Sequence, residues 1–407
     1  MVRLLPGGHR VMERGFYRNA SRDFQTRLVL GRAAHGASDV GEVLATVARI
    51  GSRAAWIREW SVTAERVEAG AAAARTHGHL VSAASGYLRA ATYWGCVVDE
   101  LTTSAKTRQL RPVFERHRNC WEAFVDCSDG AFVRINVPYE DTTLPGYLLR
   151  PDATGAVRPT LVMTNGSDGA ICDMWGAGAA GALARGWNAF VYDGPGQQSM
   201  LFMADIPFRP DWEAVLTPVV DTLATRSDVD TERLTAYAIS QAGFWLPRAL
   251  AFEHRFVAAV ADPGVVDVST SWTRPLSKSM RTMLEKGDRA AFNRAMRTAM
   301  RIPSLRRTLT FRSRPYRHQD WFDLYMTVQA YRLDEQTAST IATPLLITDP
   351  DQEQFWPGQS KRLAALVPGR ADLVRFTARE GANFHCQPMG RLLTEQRMFD
   401  WLDQFVR

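Results

Sequence analysis

The stretch that decides the fold is "RLTAYAISQAGFW", residues 233–245 of a 407-residue chain. Its apolar first part is typical of a buried strand, and the residues after Ser240 continue with helical spacing. A serine at a sharp strand-to-helix turn is the mark of a nucleophile elbow, whose usual pattern is G-x-S-x-G. Here Ala238 and Ala242 stand at the two glycine positions. The stretch predicts a nucleophile at Ser240 in an altered elbow, and it needs support from elsewhere in the chain.

Units of apolar strand, turn and helix surround this stretch. Strands are predicted in "AFVRINVPYE", "TLPGYLLRP", "PTLVMTNGSDG", "WNAFVYDGPGQ", "FVAAVADPG", "TPLLITDPD" and "ADLVRFTA". Buried runs that alternate with helical stretches are typical of a mostly parallel, doubly wound sheet with helices on both faces. The predicted fold class is therefore α/β.

Two other regions have helical rather than strand-like patterns. Residues 1–120 lack alternation and predict an N-terminal helical domain, followed by the α/β domain at 121–407. Residues 264–342 are too long for a simple crossover and are rich in arginine and aromatic residues. An insertion at this point lies above the carboxyl ends of the strands, where such sheets bind ligands. We expect a helical lid, whose arginine and aromatic side chains line a substrate pocket or simply form a solvated face.

A histidine downstream offers the general base that a serine nucleophile requires. His385 lies in "REGANFHCQP", a loop after the last predicted strand. Imidazole titrates in the range that suits proton transfer at neutral pH. We expect His385 to accept the proton of Ser240, unless it is an ordinary loop residue.

The carboxylate that orients this histidine has more than one candidate. "TPLLITDPDQEQFWPGQ" offers Asp349, Asp351 and Glu353, all between the serine and the histidine. The order serine, acid, histidine is the one expected for this architecture. We favour Glu353, because hydrolases of this fold often carry the acid four residues before a proline, here Pro357. Asp351 is the close alternative, and the unused acids would serve as turn or capping residues.

Backbone amides at two turns are candidates for binding an oxyanion. The amide of Gln241 follows the nucleophile directly, and a second amide is expected from "NGSDG", at Ser167 or its neighbour Gly166. Fixed amides of this kind stabilise the alkoxide that develops during acyl transfer. The turn "DGPGQQ" after the next strand is predicted to be structural, since it does not match the dinucleotide-binding pattern G-x-G-x-x-G.

Composition excludes several classes of function. The net charge of +6 comes mostly from arginine, without any zinc-finger, RRM or bZIP pattern, so no nucleic-acid partner is expected. Five cysteines without a C-x-x-C pair indicate free thiols rather than disulfides or a zinc site. No apolar run is long enough for a membrane span and no secretory signal is recognised, so a cytoplasmic protein without a membrane partner is expected.

Six stretches together resemble those of the α/β-hydrolases with an N-terminal helical domain. They are "NGSDG", "DGPGQQ", "AISQAGFWLPRALAFEH", "ADPGVVD", "EQFWPGQS" and "EGANFHCQP". That group includes 2,6-dihydroxypseudooxynicotine hydrolase, fermentation/respiration-switch-like esterases and fungal polyketide-shortening hydrolases. The resemblance implies Ser240, His385 and Glu353 or Asp351 as a triad, with the helical domain covering the site. It also implies hydrolysis of a C–C or ester bond without cofactor or metal, and a homodimer.

Three functions compete at this stage. The first is a serine hydrolase for an aromatic or polyketide-type carbonyl compound of secondary metabolism, with lid residues and Tyr93, Trp94 and Trp175 as candidates for enclosing the small-molecule substrate. The second is a lyase or cyclase that eliminates an acyloxy group, with His385 as base and Ser240 as hydrogen-bond donor. The third is a binding protein on an inactive hydrolase scaffold.

Overall fold

Helices form the chain up to the first strand in the computed structural model, which describes residues 11–104 and 108–407. They are α1 (Val11–Arg14), α2 (Ala20–Gly31), α3 (Val40–Val47), α4 (Arg53–Thr76), α5 (Leu80–Thr102) and α6 (Leu110–Asp126), with a 3-10 turn at Arg32–His35. The side chain of Asp39 caps α3 by accepting from the amide of Glu42. The long helices α4 and α5 approach closely at Gly86, where a Cβ would lie 2.7 Å from Ala71 Cβ.

A single sheet of eight strands follows. The strands are β1 (Phe132–Tyr139), β2 (Thr142–Leu149), β3 (Arg158–Thr164), β4 (Asn188–Tyr192), β5 (Val229–Ile239), β6 (Ala258–Asp262), β7 (Leu345–Pro350) and β8 (Ala371–Phe376). Their order across the sheet is β1-β2-β4-β3-β5-β6-β7-β8. β2 pairs antiparallel with β1 and β4, and every other neighbouring pair is parallel. The predicted α/β fold class, with its mostly parallel sheet, is confirmed.

Helices cover both faces of the sheet. They are α7 (Ile171–Met174), α8 (Ala180–Ala184), α9 (Gln198–Phe202), α10 (Glu213–Ala224), α11 (Ala242–Leu250), α12 (Thr270–Thr273), α13 (Lys278–Glu285), α14 (Arg289–Ala299), α15 (Pro303–Ser313), α16 (Trp321–Gln329), α17 (Glu335–Ser339), α18 (Gln359–Leu366) and α19 (Arg391–Val406), with a π-helical stretch at Trp175–Ala179 and a 3-10 turn at Ala378–Glu380. Among the described helices, none has the length and apolar character that a membrane crossing requires.

Two hydrophobic cores lie on the two faces, because neighbouring residues of a strand point to opposite sides. On β3, Val162 belongs to one core, while Leu161 and Met163 belong to the other. The first core joins α10 and α11 to the helices between β6 and β7, and the second joins α4, α5 and α6 to α19. The region predicted as a lid thus contains α12–α17, and α6 continues past residue 120 to Asp126. The exact domain limits remain predictions.

Candidate active site

Ser240 occupies the turn between β5 and α11 in a conformation that is uncommon for a residue other than glycine. Its φ is 60°, in the left-handed region, where non-glycine residues cost energy and are frequent at functional sites. The amide of Ser240 donates a hydrogen bond of 2.7 Å to the carbonyl oxygen of Asp262, at the end of β6. This bond ties the turn to the neighbouring strand, and it holds the serine at the carboxyl edge of the sheet.

The turn around Ser240 accommodates alanine at both positions where glycine is usual. The glycine that the close packing of α11 requires is Gly243, one residue after Ala242. Ala238 and Ala242 are completely buried. A Cβ on Gly243 would lie 1.8 Å from the carbonyl oxygen of Pro263, so any larger residue would push the helix away from β6. The start of α11 therefore depends on Gly243, while methyl groups are accommodated at the two usual glycine positions.

Ser240, His385 and Glu353 form a continuous hydrogen-bonded line. His385 Nε2 lies 2.9 Å from Ser240 Oγ, and His385 Nδ1 lies 2.7 Å from Glu353 Oε2. An ionised carboxylate only accepts hydrogen bonds, so Nδ1 donates to Glu353 and Nε2 is free to accept from the serine hydroxyl. The imidazole is 3% exposed and the Glu353 side chain 4%, so water hardly competes for these bonds.

The environment of Glu353 favours its ionised form. Burial raises the pKa of this carboxyl, but the nearby His385 and the hydrogen bonds from Phe355 and Trp356 outweigh burial and lower it. The amides of Phe355 and Trp356 donate to Glu353 Oε1 at 2.8 and 3.1 Å. Phe355 also covers the imidazole edge-on, with ring centroids 4.7 Å apart. The carboxylate is therefore held in one position with both oxygens used.

The other two acids of the same segment point elsewhere. Asp351 Oδ1 accepts from Arg375 Nε on the neighbouring strand β8. Asp349 lies 3.7 Å from Lys361 Nζ, and partial burial raises its pKa. The structure brings Glu353 to the histidine and leaves Asp351 in a surface ion pair.

The turn after β3 lies directly against Ser240. A Cβ on Gly166 would come within 2.8 Å of Ser240 Cβ. The amide of Gly166 donates to Asn165 Oδ1 at 2.8 Å and is thereby occupied. Within residues 11–104 and 108–407, the amides of Ser167 and Gln241 have no hydrogen-bond acceptor. Of the three predicted oxyanion residues, Ser167 and Gln241 offer free amides, and Gly166 allows the close approach.

A cavity opens beside Ser167 and Gln241. Its walls come from the helical region, the strand ends and the segment between β6 and β7. The lining residues are Asp99, Thr102, Ser167, Asp168, Gly196, Gln198, Leu201, Phe202, Phe208, Gln241, Trp272, Phe311, Arg312, Arg314, Pro315 and Tyr316. Its mixed polar and aromatic lining suits a small organic molecule.

Two arginines predicted for the lid do reach the cavity. The guanidinium of Arg312 lies 4.2 Å above the ring of Trp272 and donates to Ser271 Oγ at 2.8 Å. Arg314 donates to the carbonyl oxygens of Thr102 and Ser104 at 3.2 and 2.7 Å, at the end of α5. Burial lowers the pKa of both side chains. Arg314 thus joins the lid to the helical region across the cavity.

Some lining residues were missed by the sequence analysis, and some proposed ones lie elsewhere. Asp168 lines the cavity next to Ser167, and Asp99 lines it from α5. The helical sequence pattern around Asp99 does not indicate that this side chain faces a cavity. In contrast, Tyr93 and Trp94 are buried in the core of the helical region, where their polar atoms bond to Glu42 and Glu68. Trp175 donates to the carbonyl oxygen of His35 and is likewise absent from the lining.

Histidine, cysteine, aspartate and glutamate are the residue types that could ligate a metal in this protein. Across residues 11–104 and 108–407, no three side chains of the histidine, cysteine, aspartate or glutamate type converge as a metal site would require. All five cysteines are free thiols.

Comparison with known proteins supports the fold and the class. None of the protein-family models matches the chain. Hydrolase LUC6 of a Fusarium species is 29% identical, with 94% of this chain and 96% of LUC6 covered. The 20-hydroxy-prefusarin hydrolase FUS2 of Gibberella moniliformis is 31% identical, but the match covers only 64% of this chain and 63% of FUS2.

Among solved structures, 2,6-dihydroxy-pseudo-oxynicotine hydrolase superposes with a TM-score of 0.71 at 17% identity, covering 92% of this chain and 95% of that one. This likeness concerns the fold, and it extends over the helical region as well as the sheet. The resemblance inferred from the sequence is confirmed: the chain has the α/β-hydrolase fold, it resembles fungal proteins named as hydrolases, and it is an enzyme, a hydrolase.

Proposed function

We propose that the protein is a serine hydrolase that cleaves an ester or C–C bond next to a carbonyl group. The observation that carries this proposal is the hydrogen-bonded line from Ser240 Oγ through His385 to Glu353, with distances of 2.9 and 2.7 Å. Nucleophile and base lie within the range that proton transfer requires, and a third group orients the base. The proposed catalytic residues are Ser240, His385 and Glu353.

The reaction follows from this arrangement. His385 Nε2 takes the proton of Ser240 as Oγ attacks the substrate carbonyl carbon, and the amides of Ser167 and Gln241 bind the resulting oxyanion. Collapse of this intermediate breaks the bond to the leaving group, which receives the proton from His385. Water then attacks the acyl-enzyme with His385 again as base, releasing the acid and restoring Ser240. Glu353 stays ionised throughout and stabilises the imidazolium.

The lining of the cavity supports a substrate that is both planar and rich in oxygen. Aromatic rings from Phe202, Trp272 and Phe311 offer flat apolar contacts, while Arg312 and the amide of Gln241 offer donors. We infer that the substrate is a small molecule with several oxygen functions, of the polyketide type that the resemblance in sequence implies.

A fluorophosphonate probe tests the nucleophile directly, since it reacts only with an activated serine. We expect covalent labelling of the wild-type protein and none of Ser240→Ala. Hydrolysis of a short-chain p-nitrophenyl ester should fall about 10³- to 10⁶-fold in the same variant. Equal labelling of both proteins, or of neither, would contradict the proposal.

An elimination reaction is the second candidate, and one observation favours it. Asp168 lines the cavity next to Ser167, and desolvation raises the pKa of its carboxyl, so this group is the candidate to donate a proton to a departing acyloxy group. In that reaction His385 would remove a proton from carbon. Turnover in ¹⁸O-labelled water separates the two: hydrolysis incorporates the label into the product acid, whereas elimination gives an unlabelled acid and a new alkene.

A further inference from the structure

The "DGPGQQ" turn after β4 contains two glutamines that contact the turn carrying Ser167. Gln197 is 1% exposed, and both ends of its side-chain amide are used. Its Oε1 accepts from the amide of Gly194 at 2.7 Å. Its Nε2 donates to the carbonyl oxygens of Asn165 and Gly166 at 2.7 and 3.0 Å. Because one end meets a donor and the other meets two acceptors, the orientation of this side chain is determined.

These bonds also orient the backbone of the neighbouring turn. In a planar trans peptide the C=O and N–H groups point in opposite directions. The peptide between Gly166 and Ser167 has its carbonyl oxygen directed at Gln197, so the amide of Ser167 points away from Gln197. Ser167 lines the cavity, and Gly166 lies against Ser240. The glutamine therefore turns the Ser167 amide toward the side on which the substrate carbonyl would lie.

Gln198 holds the next part of the same turn. Its Nε2 donates to the carbonyl oxygen of Asp168 at 2.8 Å. Its φ of 25° is unusual for a residue with a side chain. Gln197 and Gln198 thus donate hydrogen bonds to three carbonyl oxygens of the "NGSDG" segment. A role in packing alone would not require that every hydrogen bond donated by these two side chains go to a carbonyl oxygen of this one turn.

We propose that Gln197 is a positioning residue that sets the oxyanion hole by fixing the direction of the Ser167 amide. This inference rests on the serine hydrolase proposed above. A glutamate at position 197 has nearly the same shape, and it can still accept from Gly194. As a carboxylate it cannot donate to the two carbonyl oxygens and repels them, so the peptide before Ser167 rotates and its amide is lost to the oxyanion.

The test compares Gln197→Glu with Gln404→Glu, a matched control on α19, where the exposed Gln404 donates to the carbonyl oxygen of Asp400. With a p-nitrophenyl ester, we expect kcat of Gln197→Glu to fall about 100-fold or more, with KM within about threefold, because one oxyanion donor is lost. Affinity for a trifluoromethyl ketone, which binds serine as a tetrahedral anion, should fall in parallel. Affinity for the product acid should not change. The control should match the wild type.

A normal kcat in Gln197→Glu, or a lowered kcat with unchanged affinity for the trifluoromethyl ketone, would overturn the inference. Thermal unfolding shows whether the variant is folded. If it is not, Gln197→Met removes the same donors without a charge and is subjected to the same comparison of inhibitor affinities. Activity that survives in Ser240→Ala would instead refute the proposed serine hydrolase. The two failures are therefore distinguishable.

Discussion

The protein buries one histidine in its helical region and another beside Ser240, and the two differ in their partners. His117 on α6 is 2% exposed and His385 is 3% exposed. His117 Nδ1 contacts only the carbonyl oxygen of Ala91, at 2.7 Å, and burial lowers its pKa to about 4. His385 has a carboxylate on one nitrogen and a hydroxyl on the other. Burial favours the neutral imidazole of His117, whereas His385 lies between a carboxylate and a hydroxyl, the arrangement that general-base catalysis uses.

The largest expected effect comes from removing the charge beside His385. Glu353→Gln keeps the shape of the side chain but loses the carboxylate that orients the imidazole and stabilises its protonated form. We expect kcat/KM for an ester to fall about 10³- to 10⁴-fold, as in related triads. The matched control is Asp351→Asn, whose only described charged partner within hydrogen-bonding distance is Arg375, and which should retain activity within about twofold. If Asp351→Asn were the more damaging change, the assignment of the acid would be wrong.

The second effect concerns His117 and the stability of the fold in acid. The unfolded chain binds a proton at this histidine below about pH 6.5, while the folded protein resists protonation until about pH 4. The contribution of His117 to the free energy of unfolding is therefore fully present above about pH 6.5, and it is lost as the pH falls from about 6.5 to about 4. The loss reaches about 3 kcal/mol, since each pKa unit corresponds to about 1.4 kcal/mol.

Urea unfolding of the wild type and His117→Leu measures this contribution. The free energy of unfolding of the wild type should fall more steeply between about pH 7 and pH 4 than that of the variant. Ester hydrolysis near neutral pH should be retained in the variant, because His117 lies apart from the cavity lining. Parallel slopes for the two proteins would show that His117 is not the buried group responsible.

The smallest effect tests what the helical region adds to His385. Phe24 on α2 lies 6.4 Å from the imidazole and 6.0 Å from Phe355, measured between ring centroids. Phe24→Ala removes this support, and we expect kcat to fall about fivefold, equivalent to the roughly 1 kcal/mol of an aromatic pair. Phe252→Ala is the control, since that ring is 54% exposed just after the C-terminal end of α11. A loss of the same size in both variants would mean that Phe24 does not support His385.

Much of the fold was predictable from local patterns. Strand periodicity and turn residues are encoded within short segments, so the eight strands and the serine-to-histidine order could be read along the chain. Pro357 favours Glu353 over Asp351, but the sequence alone leaves this choice open, because it depends on where β7 ends. The amide of Asp351 still bonds to Phe376 of β8, which keeps its side chain beside that strand. Glu353 follows a turn and is free to reach inward.

The cavity walls were the least predictable part. Asp99 and Arg314 reach the same space from α5 and from the segment between β6 and β7, which are more than 200 positions apart. Their meeting depends on how a helix is rotated and how an insertion docks, and neither property has a local signature. Tyr93 and Trp94 illustrate the limit: they lie about 120–140° around the axis of α5 from Asp99, and their side chains are buried in the core of the helical region.

The pairing of Arg118 with Asp193 restricts how this enzyme could be rebuilt. Arg118 projects from α6, and Asp193 stands at the end of β4, 1% exposed, where it also accepts from the amide of Ser199 at 3.1 Å. A chimera that joined this sheet to another protein's helices would bury the carboxylate without its counter-charge, at a cost of about 3–5 kcal/mol. The same loop carries Gln197. Recombination between relatives should therefore succeed only where both halves of the ion pair are inherited together.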